Sequence, residues 1–174
     1  MPNEPEERFA NGDLDAFEAL FRQFQRDVYR WIVRIVRRPD VAEDLTVEAF
    51  WRIYRAHARF DPSRSFGAWA RRVATHVAID YLKSVRPEVA LEFDVAAVRS
   101  ADAAIQSEIR DRIHRAFLQL PADLRAAATL ALVEEEPYEE IAAALDVPIG
   151  TVKSRVFRAV RILRKKLKGV EIQS

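Results

Sequence analysis

Residues 137–158 read PYEEIAAALDVPIGTVKSRVFR, which is a short amphipathic stretch, a tight turn and the start of a longer basic stretch. Ile141 and Leu145 predict the inner face of a first helix. Asp146 falls where the chain must turn sharply, and Asp tolerates the left-handed backbone better than most residues other than Gly. Pro148 suits the first turn of a second helix because its φ is already helical. The spacing predicts a helix-turn-helix unit.

The second helix of this unit has two different faces when its residues are placed at about 100° intervals. One face is apolar and predicts a core contact; its members are Val152, Val156, Ala159, Val160, Leu163 and Leu167. The opposite face and its flanks are basic, with hydroxyl groups and an aromatic ring; the candidate DNA-contacting residues are Thr151, Lys153, Ser154, Arg155, Phe157, Arg158 and Arg161. Such side chains can contact base edges and phosphates in a major groove. A solvated basic helix end would carry similar charges, but the helix-turn-helix spacing favours DNA contact.

Composition favours an all-helical chain with two small domains. The 174 residues include only 4 Gly and 8 Pro, and 49% are hydrophobic, which is enough for two compact cores. The absence of Cys excludes disulfides and thiolate metal sites. The three His lie far apart without ligand spacing, so we expect no metal and no cofactor.

The charge distribution is uneven along the chain. Residues 1–86 contain 15 basic and 13 acidic side chains, residues 87–136 contain 5 and 10, and residues 137–174 contain 8 and 4. The basic last part indicates a nucleic-acid partner, whereas the acidic middle part does not. No signal peptide and no apolar run of membrane-spanning length is present, so we expect a cytoplasmic protein without membrane insertion.

Upstream of residue 86 the apolar periodicity predicts three helices. The first covers about 13–37 and is ended by Pro39. The second starts at a capping-box pattern formed by Asp40 and Glu43 and runs to about residue 58. The third covers about 66–84, with Ser65 as its N-cap.

The second of these helices carries an aromatic residue inside a charged stripe. Asp44, Glu48, Trp51 and Arg55 are spaced to lie on one side of it. A large aromatic side chain among charges is typical of an interface anchor. Spacing alone equally allows Trp51 to pack against a neighbouring helix.

The third helix combines basic side chains with an aromatic ring. Arg72, His76 and Lys83 share a face, and Trp69 lies at its edge. This combination suits single-stranded nucleic acid, because the charges follow the phosphates while the ring stacks on an unpaired base. The alternative is that Trp69 belongs to the core.

Residues 87–101 show no clear period and predict a linker between two helical blocks. The second block predicts a helix ending near Leu120, a break at Pro121, a helix over about 122–133 and an acidic turn at 134–136. We find no phosphate-binding loop and no nucleophile motif, and no convergent cluster of titratable groups, so we expect no enzymatic activity.

Four stretches, taken in order, resemble the bacterial extracytoplasmic-function (ECF) sigma factors, which are promoter-specificity subunits of RNA polymerase. They are 42–50 (AEDLTVEAF), 60–82 with FDP, FGAW and AIDYL, 120–121 (LP) with the helix after it, and 138–155 with YEEIA and GTVKSR. The resemblance implies an all-α fold of two small helical domains. These would be an N-terminal sigma domain (1–86), a linker (87–101), and a C-terminal sigma domain (102–174) that ends in the helix-turn-helix.

The resemblance also implies roles for the candidate residues. The first domain would dock on the β′ coiled coil of core RNA polymerase through Asp44, Val47, Glu48, Trp51 and Arg55. It would recognise and melt the promoter −10 element, capturing single-stranded DNA with Arg64, Trp69, Arg72, His76 and Lys83. The helix-turn-helix would read the −35 element in duplex DNA. Polymerase would supply the chemistry, and an anti-sigma factor would hold the protein inactive.

Three residues depart from the pattern of the family. Val47 stands where Gln is usual in the docking motif, His76 where Asn is usual in the melting helix, and Pro137 where a Ser cap is usual. The main alternative is a helix-turn-helix transcriptional regulator that binds duplex DNA without polymerase. The Trp69-bearing helix and the polar docking face argue against it.

Overall fold

The computed structural model describes residues 4–85 and 101–168 and confirms an all-α fold. Within those two ranges the backbone forms eight α helices and no strand. The helices are α1 (Glu4–Ala10), α2 (Leu14–Val36), α3 (Pro39–Arg55), α4 (Phe66–Ser84), α5 (Ala101–Leu118), α6 (Ala122–Ala128), α7 (Tyr138–Leu145) and α8 (Ile149–Lys166). A 3₁₀ turn (His57–Arg59) follows α3, and a π-helical segment (Thr129–Val133) continues α6.

Helix α2 begins and ends through local hydrogen bonds. The carboxylate of Asp13 accepts from the backbone N–H of Ala16 at 3.0 Å, as an N-cap does. Arg37 adopts the left-handed conformation (φ 59°), and its N–H donates to the carbonyl of Val33 at 2.9 Å. The predicted first long helix is therefore confirmed to within one residue at each end.

Helix α3 begins earlier than its sequence suggested. Pro39 is its first residue, and Arg38 precedes it without a capping side-chain hydrogen bond. The capping box expected from Asp40 and Glu43 is wrong, because a proline with no N–H already satisfies the first helical position. The carboxylate of Asp40 instead accepts a hydrogen bond from the Arg38 guanidinium at 2.9 Å, which lowers the pKa of Asp40.

The core of the first domain includes a short helix that the sequence did not reveal. Phe9 of α1 is fully buried, and its ring lies 5.5 Å from that of Phe66 and 5.8 Å from that of Phe60. Aromatic pairs at such distances add to the burial of their apolar surface. Helix α1 has only 7 residues, which is too short to show a helical period.

Helix α4 is fixed on α2 by a buried polar contact. The Nε1 of Trp31 donates to Oγ1 of Thr75 at 2.7 Å, and that hydroxyl donates to the carbonyl of Arg71 at 2.7 Å. Trp31 and Thr75 are 3% and 0% exposed, so each buried polar group has its partner. Ser65 caps α4 as predicted, accepting from the N–H of Ala68 at 3.2 Å.

The second domain contains the predicted helix-turn-helix. Asp146 ends α7 in the left-handed conformation (φ 56°), as its position in the turn predicted. Pro137 and Pro148 are the N-cap residues of α7 and α8, so both lie one position before the helical position expected for them. Val152, Val156, Ala159 and Leu163 are the buried residues of α8, and they all belong to its predicted apolar face.

The two domains pack on each other. Helix α4 contacts α2 and α3 of its own domain and α6 and α7 of the second, and the π-helical segment contacts α2. Buried residues of α2 and α4 belong to the same hydrophobic cluster as Leu130, Ile141 and Leu145 of the second domain. Helix α4 therefore lies at the centre of the molecule.

Arg125 is the only buried charged residue among the described residues, at 8% exposure. Its Nη2 lies 3.5 Å from the carbonyl oxygen of Val36, at the C-terminal end of α2. This end of a helix attracts cations. Burial, and then the neighbouring Arg37 cation, lowers the pKa of Arg125 to about 10.

Candidate nucleic-acid interface

Helix α8 presents its basic face to solvent. Five of the seven residues predicted to contact duplex DNA are exposed, and the other two are half-buried; the exposed ones are Lys153, Ser154, Phe157, Arg158 and Arg161, and the half-buried ones are Thr151 and Arg155. This geometry follows from the sequence, because 18 helical residues with a regular apolar stripe fix which side faces out.

The chemistry of this face suits a polyanion with apolar groups. Lys153, Arg155, Arg158 and Arg161 make no ion pair with any other residue of 4–85 or 101–168. The Phe157 ring is 66% exposed. Free guanidinium groups around an exposed ring can bind phosphates and base edges together.

The candidate residues for single-stranded DNA do not form one open patch. Arg64 lies in the loop before α4, with its side chain 82% exposed and 3.7 Å from Asp61. His76 is exposed, and its Nδ1 lies 2.8 Å from the carbonyl of Arg72. The Arg72 guanidinium is ion-paired with Asp146, and Nζ of Lys83 lies 3.7 Å from the carboxylate of Asp123.

Trp69 is half-buried in the aromatic cluster of the first domain. Its ring lies 5.1 Å from the ring of Phe60, 6.1 Å from that of Phe66 and 6.2 Å from that of Phe9. Part of the indole is thus a core contact, and the remainder is available at the surface. The core interpretation of Trp69 is therefore confirmed in part, and its stacking on an unpaired base stays a prediction.

The sequence did not predict a groove that the structure shows between α2 and α4. It has a volume of about 380 Å³, and its walls include Phe24, Trp31, Gly67 and Arg71. The guanidinium carbon of Arg71 lies 4.4 Å from the centre of the Trp31 ring, within cation–π range. No local pattern in the sequence links Trp31 to Arg71, which lies 40 positions later. Glu140 of α7 also lines the groove.

The candidate docking face lies on the exposed side of α3. All five of its residues are exposed, and they follow one another along the helix: Asp44, Val47, Glu48, Trp51 and Arg55. Val47 and Trp51 are 67% and 55% exposed, so the face has an apolar centre with charged edges. Such a composition is typical of a protein interface.

Arg52 stiffens the edge of this face. Its guanidinium donates to Glu48 and to Asp80 of α4, both at 2.9 Å. The hydrogen bond to Asp80, followed by that to Glu48, holds the pKa of Arg52 above its ordinary value. Arg52 thereby links Glu48 of this face to α4.

Residues 4–85 and 101–168 contain no group of three or more His, Asp or Glu side chains placed to hold a metal ion. No helix in these ranges combines the length and the apolar content that crossing a membrane requires.

Two family models match the chain in separate parts. The Sigma-70 region 2 model matches residues 20–88, which include most of α2 and all of α3 and α4. The Sigma-70 region 4 model matches residues 110–163, which include α6, α7 and most of α8.

Several curated proteins are similar to the chain over most of its length. The ECF RNA polymerase sigma factor SigW of Bacillus subtilis is 32% identical, covering 91% of this chain and 92% of its own. The RNA polymerase sigma-H factor of Pseudomonas aeruginosa is 35% identical, covering 92% and 91%. The ECF RNA polymerase sigma-E factor of Escherichia coli is 34% identical with the same coverage.

Two solved structures share the fold. CnrH, in complex with the cytosolic domain of CnrY, superposes with a TM-score of 0.56 at 20% identity and covers 94% of both chains. The sigma factor RpoE of Bartonella quintana, in complex with the anti-sigma factor NepR, gives a TM-score of 0.54 at 22% identity, covering 90% of this chain and 99% of its own.

Proposed function

The chain belongs to the ECF sigma factors and directs promoter-specific initiation by bacterial RNA polymerase, and we propose how its surfaces divide that work. The N-terminal sigma domain (1–86) binds core polymerase and opens the −10 element. The linker (87–101) connects it to the C-terminal sigma domain (102–174), which reads the −35 element.

The exposed side of α3 is the proposed docking surface for the β′ coiled coil. Trp51 supplies the buried anchor on binding, since more than half of its side chain is now in solvent. Asp44, Glu48 and Arg55 supply the charged rim that fixes orientation. Val47, in place of the usual Gln, makes the centre of this surface more apolar.

Helix α8 is the proposed reader of duplex DNA at the −35 element. Arg158 and Arg161 follow Lys153 along the open face and can contact bases or phosphates as the helix enters the major groove. Phe157 is positioned for apolar contact with thymine methyl groups. The exposed basic face of α8 is the observation that supports this assignment best.

Helix α4 and the loop before it are the proposed site of −10 recognition. Arg64, Arg72 and Lys83 would follow the phosphates of the separated strand, and the exposed edge of Trp69 would stack on an unpaired base. His76 can stack and donate a hydrogen bond where Asn is usual. The protein itself performs no catalysis in this scheme; polymerase does.

We also propose that an anti-sigma factor controls the protein. The Bartonella quintana sigma factor of the same fold binds the anti-sigma factor NepR. A comparable partner would cover the α3 or α4 surfaces of this chain and keep polymerase away.

Reconstitution tests the whole scheme. The purified protein is mixed with core polymerase and a promoter library from its own genome, and run-off transcripts are sequenced. We expect transcripts that start downstream of a shared two-part motif. Tight duplex binding by the protein alone, with no polymerase association and no transcripts, would instead establish the polymerase-independent regulator.

The docking surface is tested with one substitution and a matched control. Trp51→Ala is expected to weaken binding to core polymerase at least tenfold, as for an interface hot spot. Leu14→Ala removes another exposed apolar side chain of the first domain, at 63% exposure, and leaves binding unchanged. Equal binding by both variants would place the polymerase contact elsewhere.

A further inference from the structure

The ion pairs between the two domains all have the same polarity. In each one found among the described residues, the first domain supplies the cation and the second supplies the carboxylate. They are Arg34–Glu134 (3.4 Å), Arg34–Glu136 (3.3 Å), Arg37–Glu134 (3.0 Å), Arg71–Glu140 (3.6 Å), Arg72–Asp146 and Lys83–Asp123 (3.7 Å). We call these five cations and five carboxylates the seam.

The seam accounts for three carboxylates of the acidic middle part of the sequence, those of Asp123, Glu134 and Glu136. Residues 87–136 carry 10 acidic and 5 basic side chains, and DNA binding gives no reason for this excess. The turn at 134–136 directs two of its carboxylates at α2, where Glu134 is 19% exposed and Glu136 is 20% exposed. Salt screens ion pairs of such partly buried carboxylates less than it screens fully exposed ion pairs.

Two cations of the seam are also proposed contacts for promoter DNA. Arg72 is ion-paired with Asp146 in the turn of the helix-turn-helix, and Lys83 lies opposite Asp123. A carboxylate and a phosphate compete for the same guanidinium or ammonium group, since both bind through anionic oxygens. Because each of these cations keeps N–H donors that the carboxylate does not use, the carboxylate weakens phosphate binding through its negative charge and does not block it outright.

The second domain also narrows the groove between α2 and α4. Glu140 lies on its wall and pairs with Arg71, the cation that stacks on Trp31. An acidic side chain there repels phosphates from the groove. The same helix pair thus points its acidic side at α4 and its basic side at solvent.

We propose that the second domain acts as an intramolecular competitor of single-stranded promoter DNA, with its seam carboxylates occupying the cations of α4 until the domains separate. The inference rests on the proposed role of α4 in binding the separated strand. It adds a self-masking state that needs no other protein. Binding of the first domain to polymerase, or of α8 to duplex DNA, can then open the seam by drawing the domains apart.

The first test removes the charge of four of the five seam carboxylates, all except Asp123, with little change in side-chain size. The variant combines Glu134→Gln, Glu136→Gln, Glu140→Gln and Asp146→Asn, and Asn also tolerates the left-handed turn. The matched control removes four exposed carboxylates of the second domain outside the seam: Glu108→Gln, Asp111→Asn, Glu135→Gln and Glu139→Gln. Both variants have the same net charge.

Fluorescence anisotropy with a labelled single-stranded oligonucleotide of −10 sequence measures the competition. Each exposed ion pair is weak, so we expect the seam variant to bind about tenfold more tightly than the control. Equal affinities of the two variants would overturn the proposal. Because the assay uses no polymerase, its outcome is independent of the reconstitution experiment.

Distance measurement tests the same state directly. The chain has no Cys, so Gln23→Cys and Lys165→Cys can carry a pair of spin labels at exposed sites on α2 and α8. We expect a narrow distance distribution in the otherwise unchanged protein and a broadened, longer one in the seam variant or with the oligonucleotide. An unchanged narrow distribution in all three samples would show that the strand binds without separating the domains, and the proposal would be wrong.

Discussion

Two basic helix faces, one on α4 and one on α8, have opposite surroundings. The cations of the α8 face are free of carboxylates within the described chain, and its aromatic residue, Phe157, is in solvent. On α4, Arg72 and Lys83 are paired with the second domain, and Trp69 is half-buried. The comparison teaches that a basic helix face is fully open to a ligand in the free protein only if nothing in the same chain neutralises it.

The difference originates in the polarity of the helix-turn-helix. Helix α7 and its turn carry Glu140 and Asp146 toward α4, whereas α8 carries its cations to the opposite side. The helix-turn-helix thus carries the proposed reader of duplex DNA on one side and covers the surface proposed for single strands with the other. A sigma domain of this kind can couple its two tasks by moving as one body.

The largest expected effect concerns the two aromatic residues. Trp69→Ala removes a ring packed on three others, so we expect the free energy of unfolding to fall by about 3 kcal/mol. Phe157→Ala removes an exposed ring and should change it by less than about 0.5 kcal/mol. Denaturant unfolding of both variants measures the contrast. Trp69→Phe, which keeps an aromatic contact, is the control; similar losses for Trp69→Ala and Phe157→Ala would remove this contrast.

The next largest effect is on affinity for duplex DNA, and it tests whether the cations of the α8 face are unpaired in the free protein. Arg158→Ala should cost about 1–3 kcal/mol of binding to duplex DNA of the −35 sequence. Arg164→Ala, an exposed cation on the last turns of the same helix, is the control and should cost less than about 0.5 kcal/mol. Because the open face has no seam partner, the loss from Arg158→Ala should be the same with and without the four seam amides. A loss that depends on the seam would show that the two faces are coupled in the free protein.

The sequence alone predicts the exposed face of α8 but not the seam. The reason is that the residues defining the α8 face are close together in the sequence, whereas the paired residues of the seam are far apart. The orientation of α8 follows from the spacing of Val152, Val156 and Leu163 within one helix. Local chemistry likewise identified Ser65 as a cap and Asp146 as a left-handed turn residue. The hydrogen bond between Arg34 and Glu136 joins residues 102 positions apart, and no periodicity records such a pairing.

Short elements of the fold were not predicted from the sequence, for a related reason. Helix α1 contributes Phe9 to the centre of the first core, but its 7 residues give no period. The π-helical segment was read as an ordinary end of its helix, since one extra residue per turn changes the pattern only slightly. The groove that joins Trp31 to Arg71 depends on the packing of α4 on α2, which spacing within either helix does not give.

A smaller effect concerns Arg125, the one buried cation in the part of the chain that the structure describes. The pKa of Arg125 is lowered to about 10, so the folded protein holds this proton more weakly than the unfolded chain, and the buried charge opposes folding at neutral pH. Arg125→Met should therefore be neutral or stabilise the protein by about 1 kcal/mol at pH 7. The advantage should shrink as the pH approaches 10, since unfolding binds a proton there and Arg125 itself begins to lose its charge.

Thermal or denaturant unfolding between pH 7 and pH 10 measures this trend, with exposed Arg164→Met as the control. Destabilisation by Arg125→Met of more than about 1 kcal/mol would show that its contact with the Val36 carbonyl outweighs the burial of charge.

The smallest effect is on salt dependence, and it compares the two faces most directly. Phosphate contacts release counterions from DNA, so affinity falls as salt rises, with a slope set by the number of contacts. On α8 the cations have no carboxylates to leave, and the full slope should appear with duplex DNA. When Arg72 and Lys83 of α4 separate from their carboxylates to bind phosphates, those carboxylates attract cations from solution. This uptake of cations offsets part of the counterion release from DNA. The slope for single-stranded DNA should therefore be shallower in the unmodified protein than in the four-amide seam variant, by about 1 in log–log units. Anisotropy titrations from 50 to 200 mM salt, roughly the range over which such slopes are usually compared, measure it. Equal slopes for the unmodified protein and the variant would mean that the cations of α4 are as accessible as those of α8, which would contradict the difference between the two faces.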